Sequence, residues 1–127
     1  MRTRLVAGNW KMHGDRAFAH ALLDAIAAAA RPAAVEVAVI PPMPYVSELV
    51  LRYLDPGLQF GAQDVSEHAD GAYTGDVSAA MLADIGCRYV LVGHSERRQY
   101  HGETDELVRA KLDAVLANRA GDQAASE

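Results

Sequence analysis

The sequence has little of what marks secreted, membrane or nucleic-acid-binding proteins. Cys87 is the one cysteine in 127 residues, so no disulfide framework is expected and a reducing compartment is favoured. No apolar run approaches the ~20 residues that span a bilayer. The net charge of −5 argues against nucleic acid as a partner, and the basic pair Arg97 and Arg98 is expected to bind Glu103 or Asp105. We therefore expect a soluble, cytoplasmic protein that contacts neither membrane nor nucleic acid.

The sequence also lacks the patterns of dinucleotide and metal sites. Gly8 is followed by Asn9 rather than by the spaced glycines of a dinucleotide fingerprint, so a Rossmann fold is a weak interpretation. His94 and His101 are seven residues apart and no cysteine pair accompanies them. That spacing does not suit a zinc site, and we expect no metal and no other cofactor.

Strand and helix patterns alternate along the chain, and 50% of the residues are apolar, enough for a globular core. Strands are predicted at 5–8, 35–40, 58–62 and 89–92, and helices at 15–30, 46–54, 78–85 and from Thr104 to Leu116. The strand starts lie about 23 to 31 residues apart, the size of right-handed βαβ units. The prediction is one α/β domain with a parallel sheet over 1–119 and a disordered tail over 120–127.

Polar side chains follow the first and the fourth predicted strands. Asn9 and Lys11 come directly after the first strand, and His94 and Glu96 come after the fourth. Because parallel strands present their carboxyl ends at one edge, these groups are expected to meet. There Lys11 can bind an anionic substrate and stabilise developing negative charge, and a neutral His94 can polarise a carbonyl or transfer protons.

Structural roles for the same residues stay open at this point. Lys11 can be a solvated surface lysine, Asn9 can satisfy a turn, and His94 can be a hydrogen-bonded structural histidine. Glu96 can act as an acid or base, or it can simply pair with Lys11. Taken one at a time, these residues do not distinguish a catalytic role from a structural one.

Four motifs, in this order and spacing, resemble the triosephosphate isomerase family. They are AGNWKM at 7–12, GAQD at 61–64, GAYTGDVS at 71–78 and VGHSERR at 92–98. The resemblance runs from about Leu5 to about Asn118. It implies four consecutive βα units of a (β/α)₈ barrel, that is, half of a fold of about 250 residues. The implied activity interconverts dihydroxyacetone phosphate and glyceraldehyde 3-phosphate through an enediolate, in glycolysis and gluconeogenesis.

The resemblance also implies a role for each residue at the predicted edge. Lys11 resembles the lysine that binds the substrate phosphate and steadies the enediolate, and Asn9 resembles the amide that helps to orient it. His94 resembles the electrophile, a neutral histidine that polarises the carbonyl in this family. Glu96 resembles the acidic residue that interacts with the lysine and the subunit interface. Ser95 resembles a residue that hydrogen-bonds around the histidine.

Residues 71–77 resemble a loop that inserts into the second subunit of a homodimer. Thr74, near the tip of this loop, would reach the partner subunit's Asn9 and Glu96. Tyr73 and Gly75 flank Thr74 and are expected at the same interface. The implied partners are therefore a triose phosphate substrate and a second copy of the chain.

The family's glutamate base follows the sixth strand, beside a closing lid, and these 127 residues contain no counterpart of either. A positioned base contributes roughly 10²- to 10⁴-fold, so we expect negligible turnover from this chain alone. Four strands cannot close the barrel, and open edges invite a second copy or a complementary C-terminal half. The alternative function is a non-catalytic half-barrel module that binds a phosphorylated ligand or such a protein half. A fragment without function is the third possibility.

Overall fold

Five strands form one parallel sheet, in the order in which they occur along the chain. The computed structural model describes residues 4–118 and the backbone of residues 123–126. The strands are β1 (Arg4–Asn9), β2 (Val35–Ile40), β3 (Leu58–Ala62), β4 (Tyr89–Val92) and β5 (Gln123–Ser126). Each pairs in parallel with the next. The predicted βα alternation and the parallel sheet of a half-barrel are confirmed.

Helices connect successive strands, as right-handed βαβ units require. They are α1 (Arg16–Ala28), α2 (Met43–Arg52), α3 (Ala79–Asp84), α4 (Ser95–His101) and α5 (Asp105–Ala117). Asp15 caps α1 by accepting a hydrogen bond from the backbone N–H of Phe18. Thr104 caps α5 in the same way through the N–H of Leu107, at 3.2 Å, which confirms the helix start predicted there.

The predicted extension of α2 to Leu54 is wrong. The helix ends at Arg52, and Leu54 is 83% exposed. The cause is the turn that follows, because Pro56 disfavours helical backbone at Asp55. Tyr53 lies just outside the helix, yet its side chain is buried. The buried part of the apolar pattern therefore extends one residue beyond the end of the helix.

The prediction of a disordered tail over 120–127 is corrected in one part. Gln123–Ser126 form β5, whose backbone pairs with β4 from Tyr89 to Val92. Residues 119–122 and 127 lie outside the described residues, and so does the predicted domain boundary at 119. β5 pairs through backbone groups that the edge of β4 would otherwise leave unpaired. Because this pairing does not depend on side chains, the sequence of β5 shows no alternation of apolar and polar residues that would predict a strand.

Two apolar clusters pack the helices against the outer face of the sheet. One joins α1 and α2 to β2 and β3 around Leu23, Leu49 and Phe60; the other joins α3 and α5 to β3 and β4 around Leu82 and Val92. This packing fixes the strand directions, so the carboxyl ends of β1 to β4 meet at one edge. No helix in the described part of the chain is long and apolar enough to cross a membrane.

Candidate active site

The carboxyl ends of β1 and β4 open into one cleft of about 870 Å³. Asn9 is the last residue of β1, and His94 follows β4 by two residues. Both line the cleft, together with Lys11, Glu96 and the loop residues 75–77. The structure therefore brings together the four residues that the sequence placed at this edge.

The backbone of Lys11 is left-handed, with φ of 56°, the one such non-glycine residue among residues 4–118. Two amide side chains hold it. Oδ1 of Asn9 accepts from the N–H of Lys11 at 2.8 Å, and Nε2 of Gln63 donates to its carbonyl, also at 2.8 Å. Strain of this kind costs about 1–3 kcal/mol and persists where neighbours determine the conformation. Asn9 thus satisfies a turn, and that turn presents Lys11 to the cleft.

The ammonium of Lys11 pairs with Glu96 across the cleft. Nζ lies 3.0 Å from Oε2 of Glu96, and both side chains remain about half exposed. The hydrogen bond from Lys11 lowers the pKa of Glu96; partial burial opposes the shift and the charge of Lys11 adds to it. Glu96 is therefore a carboxylate at neutral pH and a weaker base than an ordinary glutamate.

His94 is buried and hydrogen-bonded in one defined tautomer. The backbone N–H of Glu96 donates to its Nδ1 at 3.0 Å, as part of the cap of α4. Since Nδ1 is the acceptor, a neutral imidazole carries its proton on Nε2. A neutral ring can then donate a hydrogen bond from Nε2 to a carbonyl oxygen. Together with the Lys11 ammonium, it can stabilise an oxygen that becomes negative.

A network of ion pairs supports α4 next to the cleft. Nε of Arg97 lies 2.5 Å from Oε2 of Glu103, and Nζ of Lys111 lies 2.6 Å from the same oxygen. Asp64 joins through Lys111 at 2.8 Å. The predicted pairing of Arg97 with Glu103 is confirmed. The structure also pairs Arg98 with Asp105 at 2.7 Å, as predicted.

The predicted interface loop lies beside the cleft with its tip exposed. Tyr73, Thr74 and Gly75 are all exposed, and the cleft is lined in part by Gly75. Ser95 is the first residue of α4 and is exposed as well. Within residues 4–118, no group of three His, Cys, Asp or Glu side chains is arranged to hold a metal ion.

Comparison with known proteins identifies the family. The family model of triosephosphate isomerase matches residues 4–121, which include all four motifs. The chain belongs to the triosephosphate isomerase family. Its curated relatives agree: the triosephosphate isomerase of Stenotrophomonas maltophilia (strain R551-3) is 57% identical over 115 residues. Those of Xylella fastidiosa (strain M23) and Xanthomonas campestris pv. campestris (strain 8004) are 56% and 54% identical.

The chain spans about half the length of these triosephosphate isomerases. The alignments cover 91%, 92% and 91% of this chain but 46%, 47% and 46% of the three relatives. Family membership thus rests on one half of the relatives' sequence, the half that carries the four motifs.

Two residues that support the cleft were given no role in the sequence analysis. Gln63 lies directly after β3, and the rule that singled out Asn9 and His94 at strand ends would have found it. Lys111 lies within the predicted helix from Thr104 to Leu116 and was not singled out, yet it is only 4% exposed. Its signal in the sequence is weak, because its partners Glu103 and Asp64 lie 8 and 47 residues away along the chain.

Proposed function

We propose that this chain provides the electrophilic part of a triosephosphate isomerase site. In this proposal His94 donates through Nε2 to the carbonyl oxygen of dihydroxyacetone phosphate or glyceraldehyde 3-phosphate. Lys11 binds the phosphate and steadies the enediolate, Asn9 helps to orient it, and Ser95 hydrogen-bonds around His94. The observation that carries the proposal is the hydrogen bond from Glu96 N–H to His94 Nδ1. Because Nδ1 is the acceptor, a neutral ring carries its proton on Nε2, the nitrogen that would donate to the carbonyl oxygen.

The general base of the isomerisation must be a group other than those described above. The carboxylates of Glu96 and Glu103 are both engaged by cations, and the pKa of each is lowered. Both are therefore weak proton acceptors. We propose that the chain needs a complementary C-terminal half for turnover, that it pairs with a second copy through the loop bearing Tyr73, Thr74 and Gly75, and that it acts in the cytoplasm.

The test is reconstitution of the isomerase from two halves. The chain is mixed with the remaining C-terminal half of the Stenotrophomonas relative, and conversion of glyceraldehyde 3-phosphate is followed in a coupled assay. We expect turnover from the mixture and at least about 10²-fold less from the chain alone, because a positioned base contributes at least that much.

Two substitutions assign the recovered activity to this chain. Lys11→Ala and His94→Gln should each abolish most of the turnover of the mixture, whereas Arg109→Ala, which removes an exposed cation of α5 outside the cleft, should retain it. Equal turnover from the chain alone would overturn the need for an external base. Phosphate-analogue binding without any recovery of turnover would favour the non-catalytic module.

A further inference from the structure

The segment between β3 and α3 is held in shape by contacts within itself. At its base, the N–H of Ser66 donates to the carbonyl of Val77 at 2.8 Å. Nearer the tip, the N–H of Asp76 donates to the carbonyl of Tyr73 at 2.9 Å. The first bond ties the outgoing limb, which begins at Ser66, to the returning limb, which ends at Val77. The second bond closes a turn within the returning limb, and most of the tip is exposed.

An aromatic stack joins the two limbs near the tip. The rings of His68 and Tyr73 are parallel within 4°, with their centroids 3.6 Å apart. The backbone of His68 is itself anchored, because its N–H donates to Oγ of Ser66 at 3.1 Å. Nε2 of His68 lies 3.7 Å from Oε2 of Glu67. The outgoing limb thus presents a fixed flat surface to the Tyr73 ring.

Gly71 permits the chain to reverse between the two rings. Its φ is +121°, and a Cβ at this position would lie 2.9 Å from Cε2 of Tyr73. A side chain would therefore be strained by the backbone and would also displace the tyrosine ring. Backbone and stack select the same loop conformation by independent means.

We propose that His68 is a positioning residue for the loop tip. Its imidazole holds Tyr73, and through it the adjoining Thr74, in one conformation in the single chain, before the loop meets a second copy. Immobilising a side chain on association costs conformational entropy, so a tip that is already ordered binds more tightly. The occupant this implies is a second copy of the chain, which rests on the proposed function.

The test compares His68→Ala with His68→Phe, which removes the imidazole but keeps a flat ring. The first measurement is the NMR shift of the Tyr73 ring protons, which a ring stacked at 3.6 Å displaces. The second is the dissociation constant of the self-associated chain by sedimentation equilibrium. All variants share the same sheet edges, so differences between them report on the loop.

We expect His68→Ala to move the Tyr73 ring protons towards the shifts of an unstacked tyrosine and to weaken association about 2- to 10-fold, the value of one aromatic pair. His68→Phe should restore both. Gly71→Ala should reproduce the effects of His68→Ala, because its Cβ would displace the Tyr73 ring. Arg109→Ala, at an exposed position of α5 that does not line the cleft, should change neither quantity.

Two outcomes overturn the proposal. Native Tyr73 shifts in His68→Ala would show that the stack does not order the tip. Failure of His68→Phe to restore the shifts would show that ring stacking is not what matters. If the chain does not self-associate at all, the homodimer of the proposed function fails, and the NMR comparison still decides the role of His68.

Discussion

At the scale of single residues, long side chains determine how the cleft is built. Gln63 donates to the carbonyls of Lys11 and Ile40, at 2.8 and 3.2 Å, so one amide ties the ends of β1 and β2 to β3. The left-handed backbone of Lys11 depends on this amide and on Asn9. The backbone that carries the Lys11 ammonium is therefore held in place by the amides of Gln63 and Asn9.

Gly61 is required where a tyrosine crosses the inner face of the sheet. The hydroxyl of Tyr89 on β4 donates to Glu36 on β2, which leaves β3 little room between them. A Cβ on Gly61 would lie 2.9 Å from the carbonyl oxygen of Tyr89 and 3.2 Å from Ile40. Backbone cannot move aside as a flexible side chain can.

We expect Gly61→Ala to lower the free energy of unfolding by about 1–3 kcal/mol, the usual cost of overpacking. The matched control is Gly8→Ala, since a Cβ there would meet nothing within 4 Å. Urea unfolding followed by circular dichroism measures both. An equal loss in the two variants would show that strand glycines matter for some reason other than space.

At the scale of elements, polar contacts link neighbouring helices. Between α1 and α2, Nε2 of His20 lies 2.5 Å from Oε2 of Glu48, and Arg16 donates to Oε1 of Glu48 at 3.0 Å. The His20 contact lowers the pKa of Glu48 most; burial opposes it and the charge of Arg16 adds to it. This contact makes the packing of the two helices sensitive to acid.

The pH dependence follows from the sign of that shift. A carboxyl whose pKa is lower in the folded chain stabilises it fully above the unfolded value of about 4.3, and the contribution disappears as pH falls through the folded value. We expect Glu48→Gln to be less stable than the unsubstituted chain at pH 7 and to lose less stability below about pH 4.3. Unfolding in urea across a pH series measures this, with the exposed Asp84→Asn as control; parallel curves would contradict it.

Between α4 and α5, the buried ion pairs behave as one unit. The side chains of Glu103 and Lys111 are 2% and 6% exposed. Burial raises the pKa of Glu103, but hydrogen bonds from Lys111 and Arg97 outweigh it, so the pKa lies below the ordinary value. Removing one partner leaves the other charge buried with fewer contacts.

A double-mutant cycle tests this coupling. Glu103→Gln and Lys111→Met should each lower the free energy of unfolding by about 3–5 kcal/mol, as loss of one member of a buried pair does. The double variant should lose clearly less than the sum, because neither charge is then stranded. Simple additivity would mean that the two side chains contribute separately.

At the scale of the whole molecule, the sheet is open at β1. Leu5 and Val6 on this strand are 43% and 57% exposed, whereas β4 is buried along its whole length. An exposed edge with apolar side chains is a template for pairing with another chain. The curl of the sheet places this edge next to the proposed site, so whatever covers it also encloses the cleft.

When no complementary half is present, we expect chains to associate through this edge in addition to the proposed pairing through the loop that bears Tyr73 and Thr74. Val6→Lys should reduce the apparent mass in sedimentation velocity, because a charged edge residue opposes strand pairing. Leu51→Lys, which replaces a leucine that is 75% exposed on α2, is the control and should leave the mass unchanged. Equal effects would point to general hydrophobic association rather than to the β1 edge.

Local patterns predicted most of the elements. The strands at 35–40, 58–62 and 89–92 agree with β2, β3 and β4, because short apolar segments and the proline or glycine residues next to them are local signals that act over a few residues. Thr104 and the ion pairs of Arg97 and Arg98 were predicted for the same reason, since their partners are 3 to 7 residues away.

By itself, the sequence determined the βα order, the edge at which Asn9, Lys11, His94 and Glu96 meet, and the family. Only the tertiary structure decided the burial of Lys111, the support of Lys11 by Gln63 and the pairing of β5. Each of these depends on groups that the fold brings together from distant positions: Gln63 and Lys11 are 52 residues apart, and Lys111 and Asp64 are 47 apart. Whether a charge is buried or a backbone group is paired depends on neighbours in space, and no local pattern in the sequence records them.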